Sequence, residues 1–188
     1  MKLVIYPMCL ECPFITYIGA REKEIRVWKK WTTIKAKLIQ QNVFFLPYPC
    51  PEFMLKGWPR PPMSKDMYAK EGLGKIAENV VEFIVRVIKE MKPSKIILIG
   101  IAGSPTCAIF ETTRGWGNLK RDLVENYLKA ELSSRIKLKK ELGKGFVKQR
   151  GRGILYEKLI EKLQALGITF SCFEVDKHKQ NPFEDSKI

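Results

Sequence analysis

Histidine is almost missing from this chain of 188 residues: the one copy, His178, sits in the polar stretch Lys177-His178-Lys179-Gln180-Asn181. Ser–His–Asp triads, Cys–His pairs and multi-histidine zinc sites each need a histidine inside the fold, so none of them is expected. Long apolar runs are missing as well. No stretch approaches the ~20 apolar residues of a membrane-spanning helix. The N-terminal run Leu3-Val4-Ile5-Tyr6 is too short for a secretory signal and lacks a cleavage region. A cytoplasmic protein with no membrane partner is the expectation. Cysteines number only five, an odd count. Without a secretory signal that argues against a disulfide framework and leaves metal binding or catalysis for thiols in loops. Gly72-Leu73-Gly74-Lys75 and Gly143-Lys144-Gly145 lack the Gly-Lys-Ser/Thr ending of a P-loop, so neither speaks for a nucleoside triphosphate.

The residues present are enough for one core, 45% being hydrophobic, and this length fits one domain. Short apolar runs at 2–7, 43–46, 95–100 and 168–173 predict strands. Between them, helical spacing at 22–41, from Ser64 to Pro93, at 119–142 and at 154–166 predicts helices. Strands alternating with helices predict an α/β fold: a single compact domain, residues 1–176, with an open, mostly parallel, doubly wound sheet. Residues 177–188 read as a polar C-terminal tail. The proline-rich stretch 47–63 and the segments 100–118 and 143–153 read as loops.

In such a sheet ligands gather beyond the carboxyl ends of the strands. Cys9 follows the first strand, Cys50 the second and Cys107 the third, so strand order brings three distant thiols to one edge. Soft thiolates suit an iron–sulfur cluster, which with three protein ligands keeps one iron open; zinc would need Cys12 or a carboxylate as a fourth ligand. Three unliganded loop cysteines are the plain alternative. Cys172 reads as a small core residue, and Cys12, in Cys9-Leu10-Glu11-Cys12, as an idle neighbour of Cys9 or its redox partner. Arg114 and Trp116 are expected to line the pocket, Trp116 by stacking on a heterocycle or by covering the core.

The loops also carry a resemblance. Leu46-Pro47-Tyr48-Pro49-Cys50-Pro51-Glu52 with Gly57, Arg60 and Pro61, and Gly100-Ile101-Ala102-Gly103-Ser104-Pro105-Thr106-Cys107, resemble two segments of the thiouracil desulfidase (TudS-like) family. Cys9 matches that family's N-terminal cysteine, and Gly151-Arg152-Gly153-Ile154-Leu155 its late glycine segment. The resemblance implies a 4Fe–4S cluster on Cys9, Cys50 and Cys107. It implies non-redox hydrolytic desulfuration of a small thiolated compound, with the open iron taking the thiocarbonyl sulfur and water attacking the carbon. It also implies proton-transfer and orienting roles for Glu52 and Ser104 and a substrate-binding role for Arg60. Ala108 stands where the family has glycine, and the segment around Cys9 departs from the common pattern, which bears on the substrate.

The net charge, +14 from 34 Lys+Arg against 20 Asp+Glu, attracts anions. The basic run 135–152 (Arg135, Lys137, Lys139, Lys140, Lys144, Lys148, Arg150, Arg152) reads as a solvated face or as a phosphate-contacting patch. An RNA- or nucleotide-binding protein with a structural metal or cluster is the alternative to an enzyme.

Overall fold

The computed structural model describes residues 1–19 and 21–183. Four strands, β1 (Lys2–Pro7), β2 (Val43–Tyr48), β3 (Lys95–Ile101) and β6 (Ser171–Val175), form a parallel sheet in the order β2-β1-β3-β6. β1 lies inside the sheet, Val4 facing Phe45 on one side and Ile97 on the other. Its Leu3, Val4, Ile5 and Tyr6 are all buried, as a strand covered on both faces requires. The chain steps from β1 outward to β2, then back across β1 to β3 and on to β6. Right-handed crossovers made in opposite directions place their helices on opposite faces. The sheet is therefore doubly wound, as expected.

One crossover uses α1 (Glu22–Ile39), whose buried Trp31 packs its ring 4.8 Å from that of Tyr6 and 6.0 Å from that of Phe45. The next uses α2 (Pro51–Lys56), α3 (Lys65–Lys70) and α4 (Leu73–Met91). On α4, Leu73, Ala77, Val80, Val81, Ile84, Val85 and Ile88 recur at helical spacing and are buried. Burying each Leu, Val or Ile contributes about 1.5–3 kcal/mol. α4 packs beside α7 (Ile154–Ala165), with the ion pairs Lys158–Glu78 and Lys162–Glu82 on the outer edge.

The structure departs from the sequence expectations in three places before β6 and again at the C-terminal stretch. The helix expected from Ser64 to Pro93 is two helices, broken at Glu71-Gly72, although Ser64 does cap the first by accepting from the Met67 amide. The proline-rich stretch contains α2, with Cys50 at its N-cap. The segment 119–142 is helical as expected, in two pieces, α5 (Arg121–Lys129) and α6 (Leu132–Leu142). Two stretches read as loop pair instead as an antiparallel ribbon, β4 (Glu111–Arg114) with β5 (Val147–Arg150). β5 is Val-Lys-Gln-Arg and exposed throughout, so it carries no alternation of apolar and polar positions to read.

The C-terminal stretch read as a polar tail folds back onto the domain as far as Phe183, which is buried against Trp31 with rings 6.0 Å apart and 15° from parallel. Residues 184–188 of that stretch lie outside the described residues.

Candidate functional site

β1 and β3 lie side by side, and the chain leaves them in opposite directions, which opens a crevice at their carboxyl ends. Cys9 sits there in a 3-10 turn, Met8–Leu10, directly after β1. Cys50 follows β2, where its carbonyl begins α2 by accepting from the Met54 amide. Cys107 hangs in the loop after β3. That loop is held by the first turn of α7: the amides of Gly153, Ile154 and Leu155 donate to the carbonyls of Ala108, Pro105 and Thr106. Only glycine fits at two points of this clasp. A Cβ on Gly153 would lie 2.4 Å from the Thr106 carbonyl carbon, and one on Gly100 would lie 2.8 Å from the Cys107 carbonyl oxygen.

All three cysteines line one cavity of about 300 Å³, together with Glu52, Arg60 and Ser104. Their thiols feel one another. Burial pushes the Cys50 thiol up to about 12, helped by Glu52 and Cys9 and opposed by Arg60 and the Phe53 amide. Burial, then Cys50, Cys9 and Glu52, push Cys107 well above the usual thiol range, against a smaller pull from Tyr48. The Tyr48 hydroxyl, buried between Cys107 and Tyr156, has no hydrogen-bond partner of ordinary geometry among the described residues. Burial without enough compensating charge thus disfavours the thiolate form of Cys50 and Cys107.

Arg60 supplies part of that compensation. It is 2% exposed, and its guanidinium donates to Glu52 Oε2 at 3.2 Å, to Cys50 Sγ at 3.7 Å and to the Ile15 carbonyl at 2.9 Å. Burial alone would favour its neutral form, but Glu52 and Cys50 outweigh that and hold it protonated. Its Nε has no partner among the described residues. Tyr68 completes the setting by donating to Glu52 Oε2 at 3.4 Å.

Zinc sets a strict geometric requirement on its ligands. A tetrahedral zinc ion, with Zn–S near 2.3 Å, draws its thiolates to within about 4 Å of one another. Among the described residues no three Cys, His, Asp or Glu side chains are grouped to hold one metal ion. Of the two fourth ligands open to zinc, Cys12 does not line the cavity, whereas a carboxylate, that of Glu52, does. Three thiols, each from a different strand end, line one shared space.

Ser104 stands on the cavity wall, its Oγ accepting from the amides of Cys107 at 2.9 Å and Thr106 at 3.3 Å. That leaves its hydroxyl hydrogen free to turn inward. Arg114 and Trp116 are placed elsewhere. Arg114 forms a two-point pair with Asp66, at 2.7 and 3.0 Å, and neither it nor Trp116 lines the cavity. Trp116 is 60% exposed, with Lys70 5.7 Å from its ring centre. Cys172 packs against the core from β6, as read.

Sequence reasoning missed part of the cavity's cationic lining. Lys177 and His178, assigned to the tail, line the cavity mouth, with Lys177 Nζ 3.7 Å from Cys9 Sγ. Arg21, Lys23, Lys139 and Lys148 surround the same mouth. Crowding there shows in two of these groups. Burial, then Arg21, bring Lys23 down to about 8, and burial, then Lys23, hold His178 below its usual value. From the basic run, Lys139 and Lys148 therefore face the site, while Lys144 pairs with Glu141 and Arg135 lies over the ring of Trp58.

No solved structure matches the chain. "Uncharacterized protein MJ0003" of Methanocaldococcus jannaschii is 33% identical over 76 residues, a stretch covering 39% of this chain and 49% of that relative. The chain thus spans about half the length of the curated relative it matches. The family described as "Putative 2-thiouracil desulfurase" matches residues 1–181. By that match, which runs through all three cysteine loops, this chain belongs to the putative 2-thiouracil desulfurase family.

Proposed function

We propose that the chain is a desulfidase that removes sulfur from a small thiolated compound, a thio-nucleobase or its phosphorylated form, by hydrolysis without net redox change. Cys9, Cys50 and Cys107 are the residues to hold a 4Fe–4S cluster. The observation that carries the reading is the meeting of these three thiols, from three strand ends, around a cavity whose wall includes the buried Glu52–Arg60 pair. When bound, the cluster supplies an open iron with Lewis acidity toward soft sulfur.

The rest falls to the protein. Water adds its oxygen to the thiocarbonyl carbon and hydrogen sulfide leaves, so atoms and electrons balance with no external reductant. Glu52, oriented by Arg60 and Tyr68, takes the proton from the attacking water and returns it to the departing sulfur. Ser104, fixed by the Cys107 amide, directs its hydroxyl to the substrate ring. The cationic mouth favours an anionic substrate such as a nucleotide. A reducing compartment such as the cytoplasm suits free thiols of this kind.

Sulfide release from 2-thiouracil by anaerobically purified protein tests the reading. Glu52→Gln should lower the rate by about 10²–10⁴-fold with iron content unchanged, and Cys50→Ser should lose the brown colour together with the activity. Equal rates for wild type and Glu52→Gln would remove Glu52 from the chemistry. The same cationic mouth favours a second reading, a nucleotide- or RNA-binding protein with a structural centre. Tight, salt-sensitive binding of RNA by a protein inert toward every thiolated base and nucleotide would decide for it.

A further inference from the structure

The stretch that follows β6 is tied down at several points. The Asp176 amide donates to the Pro182 carbonyl at 3.2 Å, and Asp176 Oδ1 accepts from the His178 amide at 2.9 Å. α1 holds the same stretch from outside: Arg26 donates to the Lys179 carbonyl at 3.3 Å and Lys30 to the Gln180 carbonyl at 3.0 Å. Phe183 seals it against Trp31. The stretch is a strap across the carboxyl edge of the sheet, and what it delivers to the cavity is Lys177 and His178.

The ammonium of Lys177 stands 3.7 Å from Cys9 Sγ, and across the cavity Arg60 stands 3.7 Å from Cys50 Sγ. The third sulfur, on Cys107, has the Tyr48 hydroxyl beside it. Two thiols of the triad, Cys9 and Cys50, thus each have a cationic outer donor. N–H···S bonds and nearby positive charge stabilise metal-bound thiolate and raise the potential of iron–sulfur centres.

We infer that Lys177 is a positioning residue of the metal centre, delivered to the Cys9 sulfur by a strap that Phe183 locks onto α1; the inference rests on the desulfidase reading above. Retention of the centre then depends on a segment some 170 residues away from Cys9, as the contact between positions 9 and 177 spans a separation of 168. A polar tail with an incidental lysine would leave the centre indifferent to both residues.

The test uses the full chain, reconstituted anaerobically with iron and sulfide, as wild type, Lys177→Met, Lys177→Arg and Phe183→Ala. Two quantities are read: the rate of bleaching at visible wavelengths under a chelator, and the midpoint potential from a redox titration followed by electron paramagnetic resonance. Lys177→Met should bleach about tenfold faster and show a more negative midpoint. Lys177→Arg should restore both, and Phe183→Ala should bleach like Lys177→Met. Wild-type values of both quantities in Lys177→Met would overturn the inference and leave the desulfidase reading standing. A wild-type protein that takes up no iron and sulfide would overturn both together. If Phe183→Ala does not fold, the Lys177→Met and Lys177→Arg pair decides alone.

Discussion

Arg60 shows how much a single buried side chain carries here. It bridges Glu52, Cys50 and the turn at Ile15, and it is fully enclosed, as is most of Glu52. Removing one partner of such a pair leaves an uncompensated charge out of water, which costs about 3–5 kcal/mol. Arg60→Met should therefore lower the stability of the metal-free protein by about that much in urea titration. The double change Glu52→Leu with Arg60→Met should recover most of the loss. Equal destabilisation by the single and double changes would mean that Arg60 acts through its packing alone. At this scale the sequence was informative where residue type and loop position coincided, as at Cys9, Cys50, Cys107, Glu52, Arg60 and Ser104, all of which line the cavity. Arg114 and Trp116 misled because a loop position does not say which way a side chain turns; Asp66 captures the arginine.

Elements divide by how apolar they are. β1 and β3 are buried and β2 and β6 partly so; all four were legible as apolar runs, β6 a few residues early, and α4 was legible from its helical spacing. The β4–β5 ribbon was illegible because its strands are polar, and the strap because one buried ring, Phe183, does not make a period. The clasp between α7 and the Cys107 loop belongs to this scale too, since a helix terminus satisfies its amides with a loop's carbonyls. Gly153→Ala would force a Cβ to within 2.4 Å of the Thr106 backbone. We expect a loss of about 1–3 kcal/mol in thermal unfolding, together with lower iron content after reconstitution, because the displaced loop carries Cys107. A variant with wild-type stability but depleted iron would place the whole effect in the loop.

Across the whole molecule, the charge of +14 is unevenly useful. Much of it is paired at the surface, as in Lys158–Glu78, and exposed pairs of this kind contribute little. Of the cations at the cavity mouth, Arg21 and Lys23 share Glu24 and Lys148 pairs with Glu111, so Lys139 and Lys177 are the ones best placed to act on a ligand. For a phosphorylated thio-nucleobase, KM should lie below that for 2-thiouracil and should rise between low and physiological salt, while KM for the uncharged base stays nearly flat. Steady-state sulfide release at several salt concentrations gives both curves. Parallel curves would mean that the charged mouth does not touch the substrate.

The spread of Cys9, Cys50 and Cys107 over three strand ends also bears on biosynthesis. No short stretch of nascent chain presents more than one of these sulfurs, and the Cys107 loop has no clasp until Leu155 has emerged from the ribosome. Any centre that spans all three must be installed after translation has carried the sheet past its third strand, so a delivery factor would meet an almost finished tertiary structure rather than an unfolded peptide.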